Sequence, residues 1–125
     1  MKKLSHIVVF LVVTLLLSCC SHIKKANMAA WGSPYEENQE YLNIGQAVFN
    51  QQCSQCHGNS GKGNGADLPT NSPPPPNFTD GSYSKSLGLV AANIKYGKRE
   101  FMPAFKGKLT DKEIWSVAMY VRALP

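Results

Sequence analysis

Cys53 and Cys56 sit three positions apart, and His57 follows the second at once. Glycines then recur at 58, 61, 63 and 65. A thiol pair at this spacing can cycle as a thioredoxin-like dithiol, supply half of a zinc site, close a plain disulfide, or hold a group that carries a metal. The dithiol reading lacks a surrounding βαβ pattern. The zinc reading lacks a second Cys or His pair downstream of His57.

The last reading uses every residue of the motif, because Cys-x-x-Cys-His is the attachment signature of c-type haem. Each thiol adds across one vinyl group, and His57 is held under the iron as proximal ligand. A ring fixed by two covalent bonds meets His57 intramolecularly, at high effective concentration. The sixth ligand follows by elimination. His6 and His22 precede the domain, as does Met28. Met119 falls on a predicted helix, where core packing is the ordinary use of methionine. Met102 stands in a loop before Pro103, 45 residues after His57, and can come round the opposite face. A thioether favours ferrous iron and raises the potential. With both axial positions filled, the expectation is outer-sphere electron transfer and no catalysis. The alternative is a ligand-binding sensor or peroxidase-like haem domain whose distal ligand is labile.

The elements that must position these residues occupy only part of the 125-residue chain. Lys2 and Lys3 precede an apolar run from Ile7 to Leu17, broken only by Thr14. A membrane span needs about 20 apolar residues, so the run suits a signal peptide better. Leu16-Leu17-Ser18-Cys19 resembles the lipobox of bacterial lipoproteins, which implies lipidation at Cys19; the alternative is an ordinary signal peptide or an uncleaved anchor, with Cys19 and Cys20 incidental. The organisation expected is a signal peptide over 1–18, a lipidated N-terminus and flexible tether over 19–37, and one domain over 38–125. Export implies an oxidising compartment. The formal charge is +5; without Lys2 and Lys3 there are 11 basic against 8 acidic residues. That balance is too mild to imply nucleic acid, and no basic run is interleaved with aromatics, so no nucleic-acid partner is expected.

A first helix is predicted over 38–51, with Tyr41, Ile44, Val48 and Phe49 on one face. Gly45 interrupts that face at a cost of about 1 kcal/mol relative to alanine, which points to close approach of another backbone. Residues 58–82 contain Pro73 to Pro76 and form no legible element, because four prolines fit neither a helix nor a central strand. A loop this long is either functional or disordered; Leu68 and Phe78 offer apolar anchors, and wrapping around something is the other way to order it. A second helix is predicted over 84–96, ending at Gly97. The last begins after Thr110, with Glu113 at capping-box spacing and Ile114, Val117, Ala118 and Val121 as its buried stripe. The fold class is all-α, three to four helices with long loops. So small a domain has a marginal core, so the haem-free chain is expected to be largely unfolded.

The segments GQAVFNQQCSQCHGNSGKGNG, PPPPNFTD, IKYGKREFMPAF and LTDKEIWSVAMYVRALP resemble a bacterial class I mono-haem cytochrome c across roughly residues 43–125. The resemblance implies the cytochrome c fold around one covalently bound haem c. It implies a crossing of Gly45 and Phe49 with Trp115 or Tyr120 on the last helix, and Met102 as axial ligand. It also implies a carbonyl from Pro73–Pro76 that accepts the His57 Nδ1 proton. The function implied is one-electron transfer by a membrane-tethered carrier, free or as the cytochrome subunit of a respiratory complex. The expected partners are redox proteins and, through the lipid, a membrane facing the periplasm or cell exterior; no small-molecule substrate is expected. Lys95, Lys98, Arg99, Lys106 and Lys108, against Glu100, form either a rim that steers acidic partners or a solvated surface.

Overall fold

The computed structural model describes residues 6, 12–13, 23–68, 72–99 and 101–125. Most of the expected leader, together with Cys19, Cys20 and His22, lies outside the described residues. Four helices organise the domain: α1 (Gln39–Gln52), α2 (Ser54–His57), α3 (Leu87–Tyr96) and α4 (Asp111–Ala123). Among the described residues there is no strand, only isolated bridges at Lys98–Met102 and Lys106–Leu109.

Each boundary has a local cause. Asn38 accepts the Tyr41 amide and starts α1. Thr110 and Glu113 close both halves of a capping box on α4, at 3.2 Å and 2.8 Å. Helix α3 starts three residues later than the sequence predicts. Ser86 accepts the Leu89 amide at 3.3 Å and so takes the cap position, leaving 84–86 outside the helix.

Helices α1 and α4 pack face to face, with α3 against α4. Their crossing point is Gly45. A Cβ there would strike the Ser116 carbonyl and stand 2.7 Å from the Tyr120 Cβ. The missing side chain is therefore what lets the helices meet. One turn on, the fully buried Phe49 ring lies 5.5 Å from the Tyr120 ring. Tyr120, not Trp115, is thus the aromatic that meets Phe49, while Trp115 is buried elsewhere in the core. Met119 is 1% exposed, a packing residue as expected. Ion pairs Lys112–Glu40 (2.9 Å) and Lys95–Asp111 (2.6 Å) tie α4 to α1 and α3. At such exposed sites each is worth under about 1 kcal/mol.

The segment expected as flexible tether is structured in part. Residues 23–30 are helical, and Met28 and Tyr35 pack against the core. Trp31 remains 75% exposed. The cause is tertiary: Lys25 Nζ donates to the Gly97 carbonyl at 2.8 Å, 72 residues away. No helix among the described residues is long and apolar enough to cross a membrane.

Candidate functional site

Cys53 closes α1 by donating its amide to the Phe49 carbonyl at 2.9 Å, and the chain turns directly into α2. Positions 53, 56 and 57 are spaced i, i+3, i+4, so their side chains share one face. That face is one wall of a cleft lined by Cys53, Cys56 and His57. The glycine run explains itself here. Gly63 and Gly65 donate their amides to the His57 and Cys56 carbonyls at 2.8 Å and 3.1 Å, satisfying groups that the end of a helix leaves open. At Gly65 the loop lies flat on α2, where a Cβ would strike the Gln55 and Cys56 carbonyls. Cys56 Sγ donates to the Asp67 carbonyl at 2.9 Å, and neither thiol of the pair is in a disulfide.

The proline run Pro73–Pro76 also lines the cleft, and beyond it come Lys98, Phe101, Met102, Pro103 and Phe105. The Met102 segment is a tight turn. Lys98 donates to the Met102 carbonyl at 2.8 Å and Phe101 to that of Lys98 at 3.0 Å. Arg99 takes φ of +50°, a conformation uncommon outside glycine. Phe105 and Lys106 then donate to the Ile94 and Lys95 carbonyls, docking the turn on the end of α3. All four predicted site residues of the domain therefore border one apolar cleft.

Burial, and secondarily the Cys56 thiol, pushes Cys53 up to about 12, so it is a neutral thiol at physiological pH. Burial, then the Lys98 ammonium, holds His57 below the ordinary histidine value. A neutral imidazole is the form that binds metal. The His57 ring stacks on Phe78 at 4.9 Å, and Tyr83 meets Phe78 edge-on at 4.8 Å. Phe78 is carried there by donating its backbone N–H to the Gly61 carbonyl at 2.8 Å. The sequence marked Phe78 only as an apolar anchor; its place two residues after the prolines was the available signal.

One expectation is not met. His57 Nδ1 is buried and has no hydrogen-bond partner among the described residues, so no proline carbonyl accepts from it. The Pro75 carbonyl lies instead over Gly63. The basic rim is also thinner than the sequence suggests, since Lys95 is paired with Asp111. Lys98, Arg99, Lys106 and Lys108 are exposed.

Two thiols, an imidazole and a thioether line one largely apolar cleft. Those residues fit haem c: thiols for its vinyl groups, soft and borderline donors for its iron. A second concavity, bounded by Ser54, Asn59, Ser60 and Asn64, offers no thiol, imidazole or thioether.

A glycine-mediated crossing of terminal helices, with long loops wrapped about a cleft that opens on Cys-x-x-Cys-His, defines a class I cytochrome c domain. The family model described as cytochrome c oxidase, cbb3-type, subunit III matches residues 40–121, and the chain belongs to that family. It carries covalently attached haem c, as the family does. Cytochrome c6 of Gracilaria tenuistipitata var. liui is 35% identical over 80 residues, covering 64% of this chain and 69% of that protein. The cbb3-type oxidase subunit FixP of Bradyrhizobium diazoefficiens is 34% identical over 85 residues, 64% of this chain. Subunit CcoP of Rhodobacter capsulatus is 31% identical over 105 residues, 74% of this chain. The match spans only 26% and 32% of those two oxidase subunits. Among solved structures, a reducing HAO-like protein complex of Kuenenia stuttgartiensis superposes with a TM-score of 0.65 at 27% identity, over 74% of this chain and 47% of that one.

Proposed function

We propose that this chain is a membrane-tethered, mono-haem electron carrier with His57 and Met102 as axial ligands. The observation that carries the reading is the single cleft bordered by Cys53, Cys56, His57 and Met102. Bound there, haem c supplies a one-electron ferric–ferrous couple. Cys53 and Cys56 would hold the ring as thioethers. His57, kept neutral by its burial and stacked on Phe78, holds the proximal side. Met102, on a turn braced by α3, would supply the thioether ligand. Buried Phe105, with Pro73–Pro76 and Phe101, gives the cleft an apolar wall, which would raise the potential along with the thioether.

With both His57 and Met102 holding the iron, no coordination site would remain for a substrate, which supports electron transfer rather than catalysis. Its donor and acceptor are other redox proteins. The similarity to FixP and CcoP supports a place beside or within a respiratory oxidase. The order of Lys2, Lys3, the apolar run and Leu16-Leu17-Ser18-Cys19 supports export and lipidation at Cys19, giving an anchored lipoprotein on the periplasmic or outer face.

Spectra of the ferric protein test the ligand set. The far-red sulfur-to-iron band is present in wild type and lost in Met102→Ala, and the reduced wild type does not bind carbon monoxide at neutral pH. A band that survives Met102→Ala refutes the assignment. Cys19→Ser moves the protein from the membrane to the soluble fraction; unchanged partitioning refutes the anchor.

A further inference from the structure

Residues 23–31 touch α3 at both of its ends. At its start, Gly88 lies under the carbonyl oxygens of Met28, Ala29 and Trp31, where a Cβ would stand 2.6, 2.8 and 2.5 Å from them. Those carbonyls, at the C-terminal end of one helical segment, face the first turn of another. Opposite dipole ends thus meet. At its finish, Lys25 Nζ donates to the Gly97 carbonyl at 2.8 Å. The segment therefore lies antiparallel to α3, touching it at both ends.

Gly97 is not an arbitrary attachment point. Its φ is +70°, and a Cβ there would meet the Met102 carbonyl oxygen at 2.7 Å, the Ala104 nitrogen at 2.9 Å and the Pro103 carbonyl carbon at 3.0 Å. The Gly97 peptide is the floor on which the Met102 turn rests, and its neighbour Lys98 donates to Met102. A charged donor on the Gly97 carbonyl locks that floor. Burial and the nearby Lys98 ammonium lower the Lys25 pKa, a cost the bond offsets.

We propose that residues 23–31 form a strap along α3, and that Lys25 is a positioning residue for Met102, acting through Gly97. The proposal rests on Met102 being the distal ligand. Its consequence is that the segment joining the domain to its anchor also governs how firmly the distal ligand is held. No sequence pattern reveals this, since Lys25 and Gly97 are 72 positions apart.

The test uses the haem-loaded chain as wild type, Lys25→Met, Lys25→Arg and Lys24→Met. Lys24 is exposed on the same segment. A hydrogen bond from a charged donor is large enough to shift a local opening equilibrium about tenfold. Amide exchange at Lys98 and Phe105 should accelerate about tenfold in Lys25→Met, recover in Lys25→Arg, and stay at the wild-type rate in Lys24→Met. Imidazole, which competes with Met102 for ferric iron, should bind Lys25→Met about tenfold more tightly. Exchange in Lys25→Met within about twofold of wild type overturns the strap, as does an equal rise in Lys24→Met. Faster exchange with unchanged imidazole affinity overturns the positioning role. A wild type with no sulfur-to-iron band refutes the ligand reading instead, and the exchange comparison then judges the strap alone.

Discussion

Gly45→Ala separates helix propensity from helix packing. Propensity alone favours alanine by about 1 kcal/mol. The structure demands the opposite. The new Cβ would lie 2.7 Å from both the Ser116 carbonyl carbon and the Tyr120 Cβ, and closer still to the carbonyl oxygen, where ordinary contact begins at 3.4 Å. Relief requires α1 and α4 to part by roughly 1 Å, and a gap of that size forfeits about a quarter to a half of each contact across it. The obstacle is helix backbone, not a side chain that can swing aside, so the cost belongs at the upper end of the 1–3 kcal/mol typical of overpacking. Net of propensity, about 2 kcal/mol is lost. At about 4–8 °C per kcal/mol for a domain of this size, Tm falls by about 8–16 °C. The assay is thermal unfolding of the haem-loaded protein followed by helical circular dichroism. A Tm equal to wild type, or higher by the few degrees propensity would give, refutes the crossing.

A Cys53→Ala, Cys56→Ala chain without haem should show no cooperative thermal transition, because the cleft walls then have nothing to pack on; a native-like transition contradicts this. Bonds from Thr110 hold the Glu113 carboxyl below its usual value. Its stabilisation is therefore complete above the unfolded carboxylate range and is lost as pH falls through the lower folded value. Urea titrations should show wild type ahead of Glu113→Gln at neutral pH and level with it at strongly acidic pH; a gap that persists in acid is the contrary result. Electron exchange with an acidic redox partner should slow about tenfold between low and high salt, because Lys98, Arg99, Lys106 and Lys108 are exposed; a rate independent of salt removes the steering role.

Much of the site was legible because its chemistry is local. The spacing of Cys53, Cys56 and His57 states its purpose within five residues, and Thr110 with Glu113 marks a helix start within four. Gly45 was legible as a conflict, a helix breaker on an apolar face, and the conflict resolves as backbone contact. What escaped depends on distance along the chain. The helical stretch 23–30 is short, and no period marks it; Lys25 and Gly88 hold it in place through partners far away in sequence. The start of α3 was placed three residues early; Ser86 takes the cap by accepting the Leu89 amide. The partner of His57 Nδ1 was expected from resemblance alone, and the Pro75 carbonyl turns to Gly63.

The central claim is that one haem is joined to this chain through Cys53 and Cys56. The most direct test is the mass of the mature polypeptide isolated from its native host, before and after Cys53→Ala, Cys56→Ala. The account predicts one porphyrin increment that survives denaturation in wild type and is absent from the variant. A wild-type mass equal to that of the bare polypeptide would contradict it.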